Sequence, residues 1–412
     1  MKKLLLLALF AFLVFSVNAQ NSTEEYKGIR FETGTIAEIY TKAKKENKPI
    51  FVDVYTTWCG PCKWLAKNVF TNDTVARFYN EKFICYSIDA EKGEGLSFAK
   101  EYKISAYPSL LFLDSTGRVL RRAVGGRAVK EFVALGEKAL DPEQRLTVWQ
   151  DKYASGKRDP EFIRPYIDEL AEAGMYEEQT EIIFWYFYAL SEREWITKEN
   201  FEVINKHCRN SEGQGFQNLL KNREKFHAVV GKEKVDKKIY DVFYGDLLRR
   251  YVEYKIVDGK YEASINEEKY KAAIDQIKNS GLERADELIM YANISYFEIK
   301  GDMKKYMELK DTYINKYKMN DWNHLNGAAW DVYENEKITD KKSLQKALAW
   351  IKRSVELESN YYNNDTEAAL LYKMKNKKEA IKAAEKAIEL AKKDGADASV
   401  TEELLEKIKK MK

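Results

Sequence analysis

The residues of this chain with the most chemistry in them are two cysteines separated by glycine and proline, Cys59-Gly60-Pro61-Cys62. That spacing serves three ends: half of a zinc site, a structural staple, or a dithiol that gives and takes electrons. Zinc asks for a second ligand pair. The chain offers only His207-Cys208 and His227, none spaced as a second CxxC or an HxxxH. A disulfide closing so short a loop restrains the unfolded chain very little, which makes it a poor staple. Redox chemistry remains, and it calls for no metal and no cofactor.

The elements around the pair can be read from periodicity. PIFVDVY and FICYSID are short apolar runs of strand type, and SLLFLD and RVLRRAV are two more, separated by the turn Ser115-Thr116-Gly117. TIAEIYTKAKKEN, CKWLAKNVF and VKEFVALGEKAL read as helices. Strands alternating with helices predict an α/β domain over residues 20–145.

Composition then changes. All six prolines (Pro49, Pro61, Pro108, Pro142, Pro160, Pro165) lie in the first 165 residues, and the proline-free remainder suits a series of helices. KALAWIKRSVEL (346–357) and EAIKAAEKAIEL (379–390) superpose at an offset of 33, pairing Ala347 with Ala380 and Val355 with Ile388. That period, with small residues where helices cross, resembles a tetratricopeptide repeat and predicts an all-α solenoid of helical hairpins over 146–412. AAWDVY (328–333) and AALLYKM (368–374) supply the partner helices. Earlier hairpins break at Gly301-Asp302 and at Gly174, and residues 205–270 are helical by composition, with no register set. The aromatics of this half, Phe184-Trp185-Tyr186-Phe187-Tyr188 among them, are expected to fill gaps between helices.

Residues 1–19 have a basic start at Lys2 and Lys3, an apolar stretch from Leu4 to Phe15 and a Val17-x-Ala19 pattern, the signature of a cleaved secretory signal peptide. The mature chain is expected to be exported, with no membrane insertion. Its net charge of +3 is spread over 69 basic and 66 acidic residues, which gives no reason to expect nucleic acid as a partner. With only four cysteines (Cys59, Cys62, Cys85, Cys208) it is not a disulfide scaffold.

FVDVYTTWCGPCK, followed by YKISAYPSLLFLDSTGRV and Gly125-Gly126, resembles the thioredoxin family over roughly residues 30–140. The resemblance implies a thioredoxin fold with Cys59 at a helix N-terminus, where free N–H groups favour a thiolate ionising at about pH 7 instead of about 8.5. Cys59 is then the attacking nucleophile, and Cys62, one turn on and shielded, resolves the mixed disulfide. Gly60 and Pro61 form the active-site loop, where Pro61 is tolerated in the first turn. Asp53 matches the buried carboxylate that takes the proton of the resolving thiol. Trp58, Tyr107 and Pro108 match the substrate-binding surface, with Pro108 as the family's cis-proline. The family's lysine beside the buried acid falls, in this alignment, on Cys85. Cys85 and Cys208 themselves are expected to be structural.

The function these features predict is an exported, periplasmic thiol-disulfide oxidoreductase that reduces protein disulfides, drawing electrons from a membrane thiol-reducing donor. An oxidase or isomerase using the same dithiol is an alternative. A second is a binding scaffold in which the thioredoxin-like domain only docks.

Overall fold

Ile50–Tyr55 reads Ile-Phe-Val-Asp-Val-Tyr with all but the last residue buried, and such a run packs both faces of a sheet. In the computed structural model, which describes residues 28–411, it is the central strand of five. The leader expected over 1–19 lies outside the described residues. In chain order the first unit holds β1 (Phe31–Glu32), α1 (Ile36–Glu46), β2 (Ile50–Tyr55), α2 (Gly60–Asn68), α3 (Asp73–Lys82), β3 (Ile84–Asp89), α4 (Glu94–Glu101), β4 (Ser109–Leu113), β5 (Val119–Val124), α5 (Val129–Leu140), α6 (Leu146–Ala154), α7 (Pro160–Glu172) and α8 (Tyr176–Ala189). The sheet runs β1-β3-β2-β4-β5. The first three strands in that order are parallel, whereas β4 is antiparallel to β2 and to β5. The expected α/β thioredoxin fold is present.

Side chains alternate across β2, so its two faces build two cores. Phe51 packs with Phe70, Tyr79, Phe112 and Phe132 beneath α2, α3 and α5. Ile50, Val52 and Val54 pack with Ile39, Ile84, Phe98 and Leu111 beneath α1 and α4. Asp53 shares the face of Phe51, which is the face α2 covers.

The first compact unit ends at Ala189, and the composition change near 145 falls inside it. A charge cluster shows how the helices after 145 are held. Arg121 on β5 is only 2% exposed, and a cation so buried is costly unless opposite charge is brought to it. It donates to the Gln144 carbonyl (2.8 Å), to Glu169 (2.5 Å) and to Glu172, the last two on α7.

The second unit starts at Leu190 and holds α9 (Glu192–Trp195), α10 (Lys198–His207), α11 (Gln214–Lys221), α12 (Arg223–Val230), α13 (Lys232–Gly245), β6 (Val252–Val257), β7 (Lys260–Ile265), α14 (Glu267–Lys278), α15 (Ala285–Lys300), α16 (Met303–Tyr317), α17 (Trp322–Glu334), α18 (Lys341–Leu357), α19 (Tyr361–Lys373), α20 (Lys377–Asp394) and α21 (Ser399–Lys409). α15 pairs with α16, α17 with α18 and α19 with α20, so the chain here is a run of helical hairpins. The 33-residue offset is a packing fact. Ala347, Ile351 and Ser354 on α18 and Ala380, Ala384 and Ala387 on α20 are all buried. No helix among the described residues is long and apolar enough to cross a membrane.

One expectation is corrected. Residues 205–270 are not helical throughout, because 252–265 form the antiparallel hairpin of β6 and β7. Val252, Tyr254 and Ile256 alternate with polar residues, and Asp258-Gly259 makes the turn with positive φ at both positions (49° and 75°). That pair is the strongest short hairpin signal a sequence carries, and it outweighs the helix-favouring lysines and glutamates beside it.

Candidate active site

Cys59 is the N-cap of α2, with extended backbone (φ −68°, ψ 108°), and Gly60 and Pro61 make the first turn. The Pro61 ring costs no hydrogen bond there, because the first N–H groups of a helix have no partner within it. The N–H of Cys62 donates to Cys59 Sγ at 3.1 Å, and the N–H of Lys63 to the Cys59 carbonyl at 3.2 Å. The two sulfurs are joined as a disulfide, the oxidised form of the couple. α2 is seated by Leu65 and Val69, which reach the Phe51–Phe132 core.

The expectation that Cys62 is the shielded partner is refined by burial. Cys59 is 3% exposed and Cys62 6%, so access does not separate them. What separates them is position, because only Cys59 has its sulfur facing a free helix N–H and the positive end of the helix dipole.

Asp53 lies on β2 beneath α2 and is 7% exposed. Burial pushes its carboxyl up to about 7, partly opposed by a hydrogen bond from Ser87 Oγ to Oδ2 at 3.2 Å. Its other oxygen, Oδ1, has no hydrogen-bond partner among the described residues, and neither does the buried Thr56 hydroxyl. Asp53, Thr56, Cys62, Lys63 and Ser87 all line one cavity of about 280 Å3. The carboxylate and the second cysteine of the pair therefore open onto the same space.

The strand register shows which residue stands directly beside the acid. Asp53 pairs with Ser87, whereas Cys85 pairs with Phe51. A hydroxyl, and neither a lysine nor Cys85, is the strand neighbour of the acid. Cys85 is 2% exposed among aromatic rings, and burial pushes its thiol well above the usual range. Cys208 is likewise buried, with its thiol pushed up to about 12.

The surface beside the pair is built from two segments. The Tyr107–Pro108 peptide is cis, and the Pro108 carbonyl accepts from the N–H of Gly125 at 2.9 Å. Gly125 has φ +91°, a conformation few other residues adopt, so the glycine is required for that contact. Trp58 is 64% exposed, meets Tyr107 edge to face at 5.9 Å, and donates its indole N–H to both carboxylate oxygens of Glu91 at 3.0 and 3.1 Å. Sequence reasoning missed Glu91 and Ser87. Glu91 follows the end of β3, and nothing local ties it to Trp58; Ser87 needs the strand register.

Residues 32–115 match a family model described as Thioredoxin-like. Thioredoxin-1 of Drosophila melanogaster is 36% identical over 74 residues, which cover 18% of this chain and 64% of that protein. The thiol:disulfide interchange protein DsbD of Yersinia pestis (strain Pestoides F) is 30% identical over 82 residues, 20% of this chain and 14% of that protein. Among solved structures, a provisionally assigned disulphide-isomerase from Bacteroides thetaiotaomicron is 41% identical, with 28% of this chain and 95% of that chain covered and a TM-score of 0.27. The chain thus spans less than two thirds of the length of each of the two curated relatives. Its 32–115 segment is a thioredoxin-like domain that carries a Cys59–Cys62 couple.

Proposed function

We propose that the protein is an exported thiol-disulfide oxidoreductase that reduces protein disulfides. The observation that carries this reading is the shared cavity, which places a carboxylate with a raised pKa next to the second cysteine while the first sits at a helix start. In the reduced protein the Cys59 thiolate attacks one sulfur of a client disulfide, and that bond breaks as the Cys59–client bond forms. The departing client thiolate takes a proton from solvent. Cys62 then gives its proton to Asp53 and attacks Cys59 Sγ, the second client thiolate leaves and is protonated, and the couple is left as the disulfide of this structure. Two electrons have passed from protein to client. Trp58, Tyr107 and Pro108 form the surface on which the client segment lies.

The reducing direction follows from the Gly-Pro dipeptide, which the thioredoxin couple at about −270 mV also carries. Export follows from the leader pattern over 1–19, and a reductase outside the cytoplasm needs a thiol-reducing partner in the membrane. The likeness to a thiol:disulfide interchange protein supports a partner that exchanges thiols and disulfides with the couple. The helical second unit, tetratricopeptide-like in its period, is the part that would hold clients.

Separating the cysteines tests the reading. Cys62→Ser keeps the nucleophile and removes the resolving thiol, so mixed disulfides should accumulate on Cys59 and be released by a reductant. Cys59→Ser should trap little. Equal or greater trapping by Cys59→Ser would reverse the order of attack, and a potential above about −180 mV for the wild-type couple would overturn the reducing direction.

A further inference from the structure

The β6–β7 hairpin of the second unit is a two-stranded sheet, and a hairpin of that size is marginal in water unless something completes it. The register pairs Val252 with Ile265, Tyr254 with Ala263 and Ile256 with Tyr261, so one face is apolar from end to end. It is also uncovered: Tyr254 is 68%, Ile256 66% and Tyr261 78% exposed. α15 lies against β7, which leaves β6 as the outer strand.

The free edge of β6 has a defined set of backbone groups. Val257 and Lys260 flank the two-residue turn, and the Asn266 N–H bonds the Tyr251 carbonyl at 2.8 Å at the other end. In an antiparallel pair the bonded positions alternate, so residues 251, 253, 255 and 257 turn their N–H and C=O groups toward β7. Val252, Tyr254 and Ile256 turn theirs outward. The pairing shows no register shift and β6 contains no proline, so neither a bulge nor a missing N–H interrupts this edge, and its only charges are Glu253 and Lys255.

The sequence of that edge, Val252-Glu253-Tyr254-Lys255-Ile256, is complementary to itself when run antiparallel. We propose that β6 is a homodimerisation strand, pairing edge to edge with β6 of a second copy about a two-fold axis at Tyr254. Tyr254 then faces the Tyr254 of the other copy, Val252 faces Ile256 and Glu253 faces Lys255, each contact occurring twice, as an isologous interface requires. The outward backbone groups all find partners. Centring the axis on Glu253 or on Lys255 would set like charges directly opposite each other. Across the joined sheet the charges alternate, because Lys255 already faces Glu262 within its own hairpin. Glu253 takes part while held by Asn266 Nδ2 at 2.8 Å. The partner is chosen by charge order and register: any other extended segment would have to reproduce both.

The test uses the full chain and measures solution mass by sedimentation over a concentration series. Wild type should approach twice the monomer mass. Lys255→Glu and Glu253→Lys should each weaken the dimer by at least about tenfold, since each creates two like-charge contacts. An equimolar mixture of the two variants should regain the dimer, because every Glu then faces a Lys across the heterologous pair. Tyr254→Pro removes the outward N–H together with the ring at the two-fold axis, leaves the bonds to β7 at 253 and 255 in place, and should give a monomer. A wild type that stays monomeric throughout the series would overturn the proposal. So would charge variants that dimerise as wild type does, or a mixture that stays monomeric while Tyr254→Pro still dimerises.

Discussion

The start of α2 and the start of β3 each hold a cysteine almost out of contact with water, at 3% exposure for Cys59 and 2% for Cys85, the second residue of its strand. Around Cys59 are a helix N–H at 3.1 Å and the positive end of a helix. Around Cys85 are Phe51, Phe83 and Phe112, whose rings offer a thiolate nothing. Burial alone thus says little about a thiol; the dipoles it meets on the way in decide whether it can ionise.

The widest gap should be in labelling. With the couple reduced, Cys59 should alkylate at least about 10³-fold faster than Cys85 or Cys208 near pH 7, because a helix start favours its thiolate whereas burial raises the thiol pKa of the other two. Mass spectrometry of the modified peptides reads this, and comparable rates would break the comparison. Next in size, Cys59→Ser should lower disulfide reduction by at least about 100-fold, while Cys85→Ala should leave turnover within about twofold and cost about 1 kcal/mol in chemical denaturation.

Asp53 sharpens the contrast, being a buried group whose pKa burial has raised to a useful value instead of an inert one. Asp53→Asn should slow the second half-reaction by roughly 10- to 100-fold near pH 7, seen as a longer-lived mixed disulfide. It should also change stability with pH. The folded carboxyl titrates at about 7, above its unfolded value, so the folded protein holds a proton that the unfolded chain releases between about pH 4 and 7. Stability of the oxidised wild type therefore falls as pH rises through that window, and the asparagine variant escapes the fall. Its advantage should be roughly 2–4 kcal/mol at pH 8 and vanish near pH 4. The smallest effect is at Ser87. Removing its hydroxyl in Ser87→Ala takes away the bond that lowers the Asp53 pKa, so the pH midpoint of resolution should move up by less than about one unit.

These same residues show what was legible in the chain. Cys59, Asp53 and Pro108 could be read because each is a residue type with a cost: a reactive thiol, an acid in an apolar run, an imino acid before a strand. Ser87 could not, since a serine on a half-polar strand costs nothing and only the register of β3 on β2 puts it beside the acid. β2 to β5 and the last helical hairpins followed from period, whereas the two-residue β1 is too short to show one, and β6 and β7 were lost among lysines and glutamates although Asp258-Gly259 marked their turn. Glu91 was out of reach for a further reason: its bond to Trp58 spans two loops, and loops have no period to read.

Arg121 bears on how much of this chain can stand as an independent domain. The stretch that resembles thioredoxin ends near residue 140, but the partners that make a buried guanidinium tolerable lie at Gln144, Glu169 and Glu172. A version excised at 145 would leave that cation in the sheet with its two carboxylates gone. The smallest autonomous piece is therefore set by charge neutrality and not by the outline of the fold, and any shortened redox domain should be cut beyond α7, with α8 as the natural last element.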